Sequence, residues 1–128
     1  MIACIDVGLK RIGIALGYNN GVIVPINAVL RQNRNQAAKD VKYILDEWNV
    51  KKLVVGIPLG GNSEDEMRRR INHFINLLDF NGEIVFFDES FSSVEAGEFG
   101  VVNHKKKDGK LDSLSAMVIL QRYFDSLK

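Results

Sequence analysis

One cysteine stands in the entire chain, which excludes an internal disulfide and leaves the redox compartment open. That residue, Cys4, lies inside the apolar run Ile2 to Val7, where a small buried hydrophobe is expected rather than a nucleophile. Histidine is almost as scarce. His73 and His104 have no partner at ligand spacing, so neither is expected to bind metal. A surplus of either charge is missing too: 17 Lys and Arg against 16 Asp and Glu leave a net charge of +1. That balance excludes a histone-like polycation, and any grip on nucleic acid must come from a local basic patch. No apolar run approaches the roughly 20 residues that span a bilayer. No basic segment precedes an apolar one at the N-terminus, as a signal peptide requires. A soluble, cytoplasmic protein without membrane contact is expected. What is present, 128 residues of which 46% are hydrophobic and 26% charged, suits one compact domain over residues 1–128.

The order of elements can be read from the period of the apolar residues. Met1 to Val7 is nearly all apolar, as in a central strand buried on both faces. Gly8-Leu9-Lys10 turns into a second strand, Arg11 to Leu16. Asn19-Asn20-Gly21 then signals a hairpin, because Asn and Gly both tolerate positive φ. The third strand, Val22 to Leu30, carries Pro25, which cannot donate to a ladder and so predicts an edge position or a bulge. The period then changes. Ala37, Val41, Ile44, Leu45 and Trp48 form a helical stripe, Lys52 to Ile57 a short buried strand, and Met67, Ile71, Phe74, Ile75 and Leu78 a second stripe. Glu83 to Phe87 reads as a strand, Ser92-x-x-Glu95 as a capping box, Gly100 to Lys110 as a mobile loop, and about Asp112 to Leu127 as a last helix with Leu114, Val118 and Ile119 in its core. The order is βββαβαβα. It predicts an α/β fold with a mixed five-stranded sheet, its first strand beside and parallel to Lys52–Ile57.

The acids fall at telling places. Asp6 interrupts the apolar first strand, Asp88 and Glu89 end the run Ile84 to Phe87, and Asp112 opens the last helix. A carboxylate near a core is costly unless it is paired or bound to metal. In parallel strands the C-terminal ends share one edge of the sheet, where open α/β sheets take their ligands. Asp6, Asp88, Glu89 and Asp112 are therefore candidate ligands, and an all-oxygen set suits Mg²⁺ or Mn²⁺ rather than Zn²⁺. Two such ions about 4 Å apart can activate water and stabilise the leaving oxygen of a phosphodiester. Taken singly, Asp112 also suits the first turn of a helix and Asp88 a turn. Asp6 has no such ordinary use and is the strongest single candidate.

These residues also match a family. The stretch Asp6-Val7-Gly8-Leu9-Lys10-Arg11-Ile12-Gly13-Ile14-Ala15 resembles the opening signature of the YqgF proteins, also called RuvX. Three more blocks agree in order: Val54-Val55-Gly56-Ile57-Pro58-Leu59, Asp88 through Ala96, and Lys106-Lys107 followed by Asp112-Ser113-Leu114-Ser115-Ala116. The resemblance implies a ribonuclease-H-like fold, in keeping with the order of elements. It implies an acidic catalytic site at Asp6, Glu89 and Asp112, and phosphodiester hydrolysis in maturation of the 5′ end of pre-16S rRNA. By fold analogy it also implies cleavage of Holliday-junction-type DNA. The chain departs from the family pattern at Ser90, where the family usually has Arg, whose guanidinium would supply a phosphate fork. A second departure is Gly60-Gly61-Asn62-Ser63, which replaces a polar loop leading to Gly-Thr.

Among the basic residues, Lys10 and Arg11 follow Asp6 and Lys105, Lys106 and Lys107 precede Asp112, which suits capture of a nucleic-acid backbone beside the acids. Arg68, Arg69 and Arg70 read as a solvated helix face. Two alternatives stay open: an actin-type phosphotransferase, which would need a dimer to enclose its nucleotide, and a non-catalytic nucleic-acid-binding or ribosome-assembly module. A monomer or a weak homodimer is expected.

Overall fold

A computed structural model describes residues 1–8, 10–57, 64–88 and 113–128. The expected capping box at Ser92, the loop Gly100 to Lys110 and the start of the last helix at Asp112 lie outside the described residues. Strands β1 (Ile2–Val7), β2 (Arg11–Gly17) and β3 (Ile23–Leu30) form an antiparallel meander. Helix α1 (Arg34–Glu47) leads to β4 (Lys52–Ile57), and α2 (Glu64–Leu78) leads to β5 (Glu83–Asp88). The last described helix, α3, spans Leu114–Ser126. The sheet runs β3-β2-β1-β4-β5, with β4 parallel to both β1 and β5. Four strands therefore point the same way, and the C-terminal ends of β1, β3, β4 and β5 share one edge.

Alternation along each strand sorts the side chains onto two faces. Ile5, Ile12, Ile14, Leu16, Leu53 and Val55 pack toward α1 and α2, against Val41, Leu45, Ile71, Phe74 and Leu78. Cys4, Ala15 and Val54 pack toward α3, against Ala116, Ile119, Leu120 and Tyr123. Cys4 is thus the small buried residue that its apolar run predicts. Both helical stripes face the core as their spacing requires. Trp48 and Met67 depart from this: Trp48 follows the end of α1 and stays 41% exposed, and Met67 is half-buried and outside both described clusters. Pro25 sits on the edge strand, paired with Ala15, and the β2–β3 register slips between Ile12 and Ile14, so an edge and a bulge are both present.

Local chemistry sets the ends of the elements. Asn33 caps α1: its side chain accepts from the Gln36 amide at 2.8 Å, while the Gln36 carboxamide accepts from the Asn33 amide at 3.3 Å. The β2–β3 turn differs from the two-residue hairpin that Asn-Gly suggests. Only Gly21 takes positive φ, at 87°. The Gly21 amide donates to the Tyr18 carbonyl and the Tyr18 amide to the Val22 carbonyl, both at 2.9 Å, which makes a three-residue loop ending in a left-handed glycine. Asn20 instead uses its side chain, accepting from the Val22 amide at 3.1 Å. At the opposite edge from the strand C-termini, Lys52 Nζ lies 3.0 Å from Glu83 and 3.1 Å from the Tyr123 hydroxyl. The bonds to Glu83 and then to Tyr123 raise the Lys52 pKa above the ordinary lysine value. This junction ties the end of α3 to the base of the sheet.

Candidate active site

Asp6 lies near the C-terminal end of β1 and, by alternation with Cys4, on the face that carries α3. Its neighbours are unusual. Gly13 pairs with it across β2, and continuing the β1–β4 register by one residue from Ile5–Val55 sets Gly56 on its other side. The carboxylate therefore stands in a patch where neither adjoining strand presents a side chain. It is half-buried, and no hydrogen bond or ion pair holds it among the described residues. A half-buried carboxylate that no described residue pairs suits a hard cation. The donor set that the sequence offers there is oxygen-only, which fits Mg²⁺ or Mn²⁺.

Asp88 reaches the same edge but not the same face. Phe87 packs with the α3 cluster and meets Tyr123 edge-on, with ring centroids 5.9 Å apart. Ile84 belongs to the opposite cluster, and Phe86 lines a hollow with Ile57, Arg68 and Asn72 of the α2 side. Asp88 has the parity of Ile84 and Phe86, so the strand directs it away from Asp6. It has an interaction of its own. The sheet thus brings Asp6 and Asp88 to one edge and separates them by face. Glu89, Asp112 and Lys105 to Lys107 lie outside the described residues. Among the described residues, no three His, Cys, Asp or Glu side chains come together.

Lys10 is exposed and Arg11 half-buried in the turn that follows Asp6, at the shared edge. Two further residues, neither given a role from the sequence, shape this corner. Arg31 binds the turn from β3: its guanidinium donates to the Gly8 carbonyl at 3.2 Å and its amide to the Lys10 carbonyl at 2.9 Å. Gly8 is required here, because a Cβ would lie 2.6 Å from the Arg11 carbonyl oxygen. The second is Ser113, fully buried at the start of α3. Its hydroxyl accepts from the Ile14 amide at 3.0 Å and donates to the Ile26 carbonyl at 2.5 Å. Ile14 adjoins Gly13, the cross-strand partner of Asp6, so the residue after Asp112 is fastened beside the Asp6 patch. Arg70 pairs with Glu66 at 2.6 Å, one turn away on α2, as a solvated helix face would.

Comparison with known proteins agrees with this architecture. A protein from Campylobacter lari named "Putative pre-16S rRNA nuclease" is 58% identical over 120 residues, covering 94% of each chain. One of the same name from Sulfurimonas denitrificans is 56% identical over 124 residues, covering 93% of this chain and 92% of that one. In fold, the chain is similar to RuvC of Thermus thermophilus in complex with a Holliday junction substrate, with a TM-score of 0.59, 10% identity, and coverage of 98% and 94%. It is also similar to the fowlpox virus Holliday junction resolvase, with a TM-score of 0.58, 17% identity and 98% coverage of both chains. The fold is accordingly the ribonuclease-H-like fold of the RuvC-type resolvases. The model of the family described as "RuvX: Holliday junction resolvase" matches residues 1–126, and this chain belongs to that family.

Proposed function

We propose that this chain is a divalent-metal-dependent nuclease, acting in the cytoplasm as a single domain, that hydrolyses phosphodiester bonds of structured nucleic acid. The observation that supports this most is the Asp6 carboxylate, without a partner among the described residues, in its glycine-flanked patch at the strand edge, with the start of α3 fastened next to it. Asp6, Glu89 and Asp112 are the residues proposed to hold Mg²⁺ or Mn²⁺. Asp88 has the parity of Ile84, on the face away from Asp6, which favours Glu89 over Asp88 as a ligand beside Asp6. A bound cation supplies an activated water and charge neutralisation at the leaving oxygen. The protein's own contribution is to hold carboxylates in place and to draw in the phosphate backbone, with Lys10 and Arg11 at the edge and Lys105, Lys106 and Lys107 ahead of Asp112.

The substrate proposed first is the 5′ end of pre-16S rRNA, on the strength of relatives 53–58% identical that carry that name. Branched DNA is the second, supported by the family's own description. Incubating the protein with 5′-extended pre-16S rRNA and with a four-way DNA junction, in Mg²⁺ and in Mn²⁺, separates the two. Metal-dependent cleavage that disappears in Asp6→Asn is the expected result. An Asp6→Asn protein cleaving at the wild-type rate would overturn the reading and favour the binding-module alternative.

A further inference from the structure

Phe86 departs from the rule that the rest of its row keeps. Through the β1–β4 and β4–β5 registers, Ile5, Val55 and Phe86 stand level with one another on the face toward α1 and α2. Ile5 and Val55 are fully buried, whereas Phe86, at the margin of the described sheet, is 43% exposed. A lone exposed apolar residue is ordinary. This one floors a hollow of about 260 Å³ together with Ile57, its diagonal neighbour on β4. Arg68 and Asn72 line the same hollow from α2. They lie four residues apart, hence on one flank of that helix, and both are exposed. Sites that enclose a whole small molecule run to about 300–1,000 Å³, so this hollow has room for one planar group.

These walls have the chemistry that an unpaired nucleobase requires. An aromatic face stacks on any base. A carboxamide donates and accepts at once, which matches a base edge and that of adenine best. A guanidinium pairs with phosphate. Asp88 has the parity of Phe86 and stands two residues further along β5, so the floor suits an uncharged base and leaves the adjoining phosphate to Arg68. The position agrees. Asp6 lies one residue beyond Ile5, and β1 and β5 are two strand spacings apart, about 10 Å. A strand of nucleic acid covers that distance in a few nucleotides, at about 3.4 Å or more each. We infer that Phe86, Asn72 and Arg68 form a subsite for an unpaired base a few nucleotides from the bond to be cleaved. The inference deepens the proposed nuclease activity and rests on it for its place beside the reacting phosphate.

The test is fluorescence anisotropy of a short labelled oligoadenylate with the full chain in EDTA, where no cleavage occurs, with thermal melts on the same samples. Phe86→Ala should bind on the order of 10-fold more weakly. Phe86→Leu keeps apolar volume without a ring, so it should melt like the wild type and still bind weakly, while Phe86→Trp should restore binding. A blunt duplex, whose bases are already stacked, should bind all four proteins alike. Tyr43→Ala removes an exposed ring on α1, away from the hollow, and should leave binding unchanged. Wild-type affinity in Phe86→Leu, or equal weakening in Tyr43→Ala, would overturn the inference. If the protein also cleaved in Mn²⁺, the proposed function would survive that loss. Ring-dependent binding without cleavage in Mg²⁺ or Mn²⁺ would instead overturn the nuclease reading and leave a single-strand-binding surface.

Discussion

The face of the sheet toward α1 and α2 and the face toward α3 are made of different material. The first is paved with branched aliphatic residues, among them Ile5, Ile12, Ile14, Leu16 and Leu53, each at most 1% exposed. The second is small along the middle of β1 and β2, with Cys4 and Ala15 and, in the same rows, Gly13, Gly17 and Gly56, and turns bulkier toward β5 with Val54, Val85 and Phe87. Small residues let α3 come close. At Gly17 a Cβ would lie only 2.7 Å from the Phe124 ring. The large-residue face buries apolar area and carries stability. The small-residue face yields volume, and at its upper end the space holds a carboxylate instead of a methyl group. One sheet thereby sets a close-packed aliphatic side against a side with room for an acid.

Substitutions on the two faces should separate these duties. The largest effect is expected at Asp6. Asp6→Asn should reduce metal-dependent cleavage to background while the thermal midpoint stays level or rises, since no hydrogen bond to a described residue is lost and a half-buried charge is removed. Loss of folding in that variant, seen by circular dichroism, would collapse the division. Next comes Phe74→Ala on the opposite side, a fully buried ring whose truncation should cost about 3–5 kcal/mol in denaturant melts. Its Mn²⁺ affinity should be retained wherever the protein remains folded. Gly17→Val should cost on the order of 1–2 kcal/mol, as the added methyls push Phe124 and Leu120 outward. A neutral melt would mean that α3 does not depend on close approach there.

The smallest effect concerns Lys52. Its folded pKa is raised by Glu83 and Tyr123, so its contribution is fully present below the unfolded lysine value of about 10.4 and is lost as pH climbs through the folded value. Lys52→Met should therefore flatten the decline in thermal midpoint above about pH 10.4 and change little at pH 7. An unchanged alkaline decline would assign it to other groups.

The order of strands and helices was legible because each element repeats its own period over enough residues to be told from its neighbours. Asp6 was legible for the opposite reason: it breaks a period that everything around it keeps. Asp88 was read as a ligand beside Asp6 from their shared edge; its parity with Ile84, opposite to that of Phe87, was there to be read. Ser113 gave no such signal. Its partners lie 99 and 87 residues away, and a serine before a helix looks like a cap until the sheet it touches is known. The Lys52 bond to Tyr123, across 71 residues, was hidden in the same way. At the hairpin, Asn20 was assigned a backbone role that its side chain fills instead.

The hydroxyl inserted between Ile14 and Ile26 also has a consequence in time. A ribosome delivers the chain from its N-terminus, and domains fold as units along the way. The β2–β3 hairpin emerges early, yet its ladder at the slip cannot close, because the group that completes it is still 87 residues from Ile26 along the chain. Until then the Ile14 amide has only water. When α3 docks, one side chain finishes the hairpin and brings the start of the helix to Asp6 in the same act. A chain whose α3 is undocked is thus left with an amide and a carbonyl of its hairpin unmatched, so hairpin and helix are completed together.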